Sequence, residues 1–314
     1  MSMISCISLK TGKTVPIPAQ TVLALGSFDG VHLAHQALLN ATLEWGRTQY
    51  KNAQVGVFCF RDLPSETLSG VSVGRLCSLE ERLERFAACG MQLAILADFS
   101  DLRHLSANDY ARSFLMEQCN CVAVACGYNH RFGKGGVGAP DLLNALFEGR
   151  VLICEPKLYA GEPISSTRIR ALISEGNVED AAKLLGRPYT LTAPVMHGKA
   201  LGRQMGIPTL NQNFPDFAVL PRGGVYATSC WIDGHRYYGV SNVGVHPTVD
   251  AHAPLNCETY LLDFNGDLYD RELKVSFLRF IREETRFSSV AELTDQIQAD
   301  IQAVRQEIEK DSHF

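Results

Sequence analysis

No two of the ten cysteines in this 314-residue chain form a CxxC pair, and the nearest neighbours are Cys119 and Cys121. The spacing of a dithiol redox centre is therefore missing, and zinc at Cys119 and Cys121, without a second ligand pair, is the alternative to plain packing. Long apolar runs are missing too. None nears the ~20 residues of a membrane-spanning helix, and Met1–Gln20 lacks the continuous apolar core of a secretion signal. These gaps lead to the expectation of a reduced, cytoplasmic protein whose cysteines pack as small hydrophobes. Excess charge is also absent. At a net charge of −5, the chain has no general attraction for nucleic acid or an anionic membrane, so neither is an expected partner. There is no internal repeat and no low-complexity tract. The composition is ordinary for a globular protein, 46% hydrophobic and 20% charged. The length exceeds what one core usually organises, so two domains are expected.

The first half alternates strand and helix. "TVLALG" (21–26), "VGVFCF" (55–60), "LAIL" (93–96), "VAVAC" (122–126) and "VLIC" (151–154) read as buried strands. Between them the apolar spacing predicts helices over 36–50, 79–89, 107–118 and 141–148, the second opened by Ser78 and Glu81 as a capping box. Such alternation implies a parallel sheet covered on both faces. Two helices, 166–174 and 178–185, then lead to Gly186-Arg187-Pro188. After them come short strands punctuated by Gly, Pro, Asn and Asp, which imply an antiparallel barrel or sandwich. A last helix, 289–310, carries Leu293, Ile297 and Ile301 on one stripe. The expected fold is thus α/β over 1–186 followed by β over 187–314.

Two stretches in the α/β half carry phosphate chemistry. "LGSFDGVHLAHQ" (25–36) joins the first strand to the first helix. Ligands of open parallel sheets collect at the carboxyl ends of strands, and a helix N-terminus there offers N–H groups to a phosphate. Gly26 and Gly30 permit close backbone approach, and His32 and His35 can donate to phosphoryl oxygens, better when charged. The stretch is neither a GxGxxG fingerprint nor a GxxxxGK[ST] loop. "ISSTRIR" (164–170) places Ser165, Ser166 and Thr167 before a helix containing Arg168, groups suited to phosphate oxygens. A plain helix cap with solvated arginines is the competing reading.

In the β half, "GKALGRQMGIPTLN" (198–211) supplies a glycine-rich loop with Gly198, Lys199 and Arg203 to cover and neutralise phosphates. Thr209 and Asn211 are hard oxygen donors suited to Mg²⁺. The alternative is a turn followed by a Pro-led strand.

Together "GSFDGVHLAH", "GYNHRFG", "ISSTRIR", "LLGRPY", "GIPTLN", "PRGGVYA", "SNVGVHPT", "ETYLLDFNGDLY" and "IREETRF" resemble, in order and over nearly the whole chain, the bacterial bifunctional riboflavin kinase/FMN adenylyltransferase family. The resemblance implies a Rossmann-like nucleotidyltransferase domain, then a six-stranded riboflavin kinase-like β-barrel with a C-terminal helix. It implies riboflavin, FMN and ATP as small-molecule substrates and Mg²⁺ as cofactor. By resemblance, Gly26, Phe28, Asp29 and Gly30 belong to a nucleotide site in which His32 and His35 stabilise phosphoryl charge. Ser166, Thr167 and Arg168 hold the departing phosphates, and Asn129, Arg131 and Phe132 lie at the flavin. In the second domain Thr209 and Asn211 meet metal and nucleotide, Glu258 is the general base, and Arg282 and Arg286 either meet the flavin or pair with Glu283 and Glu284. The chain departs from the family pattern at Ala34 (HxGH), in "FRDLP" (FEPHP), and at Asn129 and His130 (GxDFRFG). An alternative is therefore a riboflavin kinase alone, its first domain serving as a scaffold or binding module; a flavin-binding regulator without catalysis is a second.

Overall fold

The computed structural model describes residues 4–9, 17–197, 207–245 and 255–310. The chain forms two compact units, residues 1–166 and 167–314. The first holds a six-stranded sheet in the order β1-β4-β3-β2-β5-β6. Its strands are β1 (Ser5–Leu9), β2 (Thr21–Leu25), β3 (Gln54–Phe60), β4 (Leu93–Ala97), β5 (Cys121–Gly127) and β6 (Val151–Cys154), all paired parallel. Five were expected. The sixth, β1, is an edge strand that is largely exposed apart from Leu9, so "SCISL" lacks the apolar signal of the others.

Every residue of β2 and β4 is buried, because side chains alternate between two covered faces. Leu23, Leu25, Phe58 and Ile95 pack in one layer with Tyr110, Phe114 and Phe147. Ala24, Val57 and Leu96 pack in the other with Leu38, Leu39 and Phe86. The first helix, α1 (Leu33–Gln49), begins three residues before the sequence expectation. Next are α2 (Pro64–Ser69) and α3 (Leu79–Ala88). The expected capping box opens α3: Glu81 N–H donates to Ser78 Oγ at 3.1 Å, and Ser78 N–H to Glu81 Oε2 at 3.3 Å. Short α4 (Phe99–Leu102) precedes α5 (Ala107–Asp109), which continues in wider turns over Tyr110–Gln118; α6 (Pro140–Leu146) follows. Cys119 and Cys121 lie in the core. Burial raises both thiols, Cys121 to about 12, so they are neutral and apolar in behaviour. A two-stranded ribbon, β7 (Leu158–Tyr159) with β8 (Glu162–Pro163), completes this unit.

The second unit takes in α7 (Ser166–Ser174) from Thr167 onward and α8 (Val178–Leu185), which packs on the strands that follow. The observed division between compact units thus falls before the two helices, whereas the sequence reading draws its boundary after them. The six strands are antiparallel in the order β10-β13-β12-β11-β14-β9: β9 (Tyr189–Pro194), β10 (Thr209–Asn213), β11 (Gly224–Ile232), β12 (His235–Val245), β13 (Leu255–Leu261) and β14 (Glu272–Arg282). Two register shifts between β11 and β14 curve the sheet. A bridge between Met196 and Asn211 ties the two edges together, and buried Gln212 donates to the carbonyls of Ala193 and Leu273 at 2.6 and 3.1 Å. Helix α9 (Val290–Lys310) lays Ile301 and Val304 against Val225, Ala227 and Val240.

Candidate active sites

In the parallel sheet the chain runs outward from β2 through β3 to β4, then returns to place β5 on the other side of β2. That reversal opens a crevice at the carboxyl ends of β2 and β5, where Leu25 and Cys126 are partners, and where ligands of such sheets bind. Two of the sequence-selected stretches, 25–36 and 127–133, leave these two strand ends.

The β2–α1 loop is tightly constrained. Phe28 (φ 53°), Gly30 (φ 73°) and Val31 (φ 40°) are all left-handed. For a β-branched residue this is costly, and it persists only where surroundings over-determine it. Phe28 is fully buried, edge-on to His35 at 5.2 Å and to Phe86 at 5.4 Å. A Cβ at Gly26 would stand 3.1 Å from the Phe28 ring, a tight contact that a small shift of the ring relieves. Asp29, 3% exposed, accepts Leu76 N–H at 3.0 Å, and its carbonyl accepts Ser166 Oγ–H at 3.0 Å. Ser166 thus ties the end of the first unit to the "GSFDG" loop. Ser165 precedes this contact; Thr167 and Arg168, in the first turn of α7, belong to the second unit.

His32 is the N-cap of α1, its Nδ1 accepting His35 N–H at 3.3 Å. That bond assigns the His32 proton to Nε2, a donor for phosphoryl oxygen. The two imidazoles stack at 3.6 Å. His35 Nδ1 is buried without a hydrogen-bond partner. Burial first, then His32 and Arg82, hold the His35 pKa well below the usual histidine range. Its ring is neutral at pH 7, where the sequence reading favours charge on both histidines. Ala34 lies inside α1 with helical backbone, so the glycine of the family pattern is not required here by backbone angle.

The β5 exit forms a tight hairpin. Phe132 and Gly138 pair antiparallel, and a Cβ at Gly138 would come within 2.7 Å of the Phe132 ring. Asn129 and Arg131 are exposed. Phe132 is 5% exposed and packs on Tyr110 at 5.5 Å, within the core. His130 stacks on Phe132 with Nε2 buried and unpartnered, and burial lowers its pKa to about 4.

One residue of this region escapes a motif search. Arg82, 2% exposed, donates to the carbonyls of Ser27 at 2.9 Å, Phe60 at 3.0 Å and Arg61 at 2.5 Å. Its signal is positional: Leu79, Leu83 and Phe86 define the apolar stripe of α3, and Arg82 interrupts it.

The second site emerges from register. Asn211 on β10, Glu258 on β13 and Asn242 on β12 are cross-strand partners in one row, so their side chains share one face. Thr209 lies two residues from Asn211 on that face. Asn242, which the sequence reading did not select, donates to Glu284 Oε1 at 3.1 Å. Gly198, Lys199 and Arg203 lie outside the described residues. Arg282 is engaged with Asp300 of α9, Nε to Oδ1 at 3.0 Å and Nη2 to Oδ2 at 2.8 Å. Arg286 is exposed, and Glu283 pairs with Arg222. Asp267 accepts Tyr269 N–H at 3.0 Å as a turn residue, and Asp263 pairs with Arg305.

Two family models match consecutive stretches of the chain. An FAD synthetase family model matches residues 15–168, and a riboflavin kinase model matches residues 185–308. The bifunctional riboflavin kinase/FMN adenylyltransferase of Listeria monocytogenes is 34% identical over 289 residues, covering 90% of this chain and 91% of its own. The protein of that name from Escherichia coli K12 is 36% identical over 286 residues, covering 89% and 90%. A Streptococcus pneumoniae crystal structure named macrolide-efflux protein superposes with a TM-score of 0.88 at 31% identity, covering 96% of this chain and 99% of that one. Among the described residues no helix is long and apolar enough to cross a membrane. The chain belongs to the bifunctional riboflavin kinase/FMN adenylyltransferase family.

Proposed function

We propose that the chain makes FAD in two ATP-dependent steps. In the β unit, riboflavin and ATP give FMN and ADP; in the α/β unit, FMN and ATP give FAD and pyrophosphate. The observation that supports this most is the coincidence of two independent phosphate-handling frames, the β2–α1 loop and the Asn211–Glu258 row, with two consecutive family matches. We place the boundary between catalytic domains at 186/187, where Gly186 (φ 75°) ends α8. The cytoplasm is the fitting compartment, since all ten cysteines are free thiols.

In the kinase step Glu258 takes the proton of the riboflavin 5′-hydroxyl as that oxygen attacks the γ-phosphorus of ATP. A primary alcohol is a poor nucleophile at pH 7, and a positioned carboxylate contributes ~10²–10⁴-fold. Thr209 and Asn211 set hydroxyl and amide oxygens beside this carboxylate, a donor set that fits Mg²⁺. Bound there, the ion would neutralise charge on phosphate oxygens. Lys199 and Arg203 complete the phosphate cover, with Arg286 near the flavin. In the adenylyl step an FMN phosphate oxygen attacks the α-phosphorus of ATP. His32 donates from Nε2, the N-terminus of α1 faces the phosphates, and Ser165 and Ser166 receive the departing pyrophosphate. Asn129 and Arg131 border the flavin. No covalent intermediate forms; positioning and charge stabilisation lower the barrier.

A kinase-only chain is disfavoured by the FAD synthetase match over 15–168 and by retention of the His32–His35 frame. Chromatography of products from riboflavin, ATP and Mg²⁺ tests the proposal. FMN and FAD are expected together, both lost on chelation of Mg²⁺; FMN without FAD returns the kinase-only reading.

A further inference from the structure

We propose that Arg82 is a positioning residue for adenylyl transfer: delivered from α3, its guanidinium ties the loop leaving β2 to the loop leaving β3 and so fixes the backbone that carries His32 and His35. The inference rests on the reading of the β2–α1 loop as the adenylyl-transfer site.

Arg82 stands where the apolar stripe of α3 calls for leucine. An apolar residue of similar volume in place of a buried charge is often neutral or stabilising, so stability alone does not account for arginine. Its partners are three carbonyl oxygens and, among the described residues, no carboxylate. The fork spans two strand ends: Ser27 O lies one residue before Phe28, and Phe60 O and Arg61 O follow β3. Phe28, Gly30 and Val31 hold left-handed angles immediately downstream, and a loop in that state stays single only if it is tied from outside. The planar fan of N–H donors matches three fixed carbonyls as an ammonium cannot. The cation also adds positive potential beneath a site that must assemble two phosphate-bearing substrates. Of the groups facing His35, Phe28 is uncharged, while His32 and Arg82 both disfavour its protonation.

The test uses the full chain with FMN, ATP and Mg²⁺, in R82M, R82K and H32A forms, each checked for folding by thermal melting. R82M is expected to lose about 10²-fold in kcat for FAD formation, the scale of a misplaced reacting group, with KM for FMN little changed. In R82M the His35 imidazole, followed by NMR, titrates at higher pH than in the wild type. R82K keeps the charge and loses the fork, so its His35 titration stays at the wild-type position while kcat still falls about tenfold. R82K supplies the decision if R82M does not fold. A folded R82M or R82K with wild-type kcat beside an inactive H32A overturns the role of Arg82 alone. An H32A enzyme that still makes FAD overturns the site, and Arg82 with it.

Discussion

At the scale of single residues, a few side chains carry the chemistry and their surroundings set their charge. Glu258→Gln is expected to lower kcat for FMN formation by ~10²–10⁴-fold while FAD is still made from supplied FMN; product chromatography reads both. His130 makes a different prediction. Its folded pKa is lowered to about 4 by burial, against ~6.5 in the unfolded chain. Below pH 6.5 the unfolded state binds the proton that the folded state refuses. Stability is thus complete above about 6.5 and falls by ~3 kcal/mol as pH drops toward 4. Denaturant unfolding across that range should show the slope, and His130→Phe, which removes an unpartnered ring nitrogen, should reduce it and leave the part that His35, also lowered by burial, contributes.

At the scale of elements, the capping box of α3 and the anchor of α9 are local devices with global effect. Ser78→Ala should cost about 1 kcal/mol, a typical N-cap loss, and it weakens the helix that delivers Arg82. Asp300 is 3% exposed and takes the Arg282 fork. Asp300→Ala removes the carboxylate from that guanidinium, which keeps only the Glu283 carbonyl at 3.0 Å, and should cost about 1–3 kcal/mol, seen as a lower melting temperature and faster amide exchange in α9. Helices were legible from apolar spacing, α3 to within a residue. The start of α1 was not, because His32 caps it through a ring nitrogen, and histidine is not among the residues that ordinarily signal an N-cap. Edge strand β1 was hidden for want of buried residues.

At the scale of the whole molecule, one chain carries two phosphoryl-group reactions in two units. If each unit works independently, His32→Ala should make FMN from riboflavin but no FAD. A mixture of His32→Ala and Glu258→Gln chains should then make FAD from riboflavin, since FMN can leave one chain and enter another. Failure of the mixture, with each parent reaction intact, would show that FMN does not exchange.

From residue order alone came the change from α/β to β and the order of the motifs, because apolar periodicity, turn residues and helix caps are short-range properties. Tertiary structure alone decided that β5 returns beside β2 to form the crevice, that Asn211, Glu258 and Asn242 share a row, and that Arg82 reaches three carbonyls. Strand order and register are set by packing between segments far apart in sequence, where a one-residue slip turns every side chain to the opposite face.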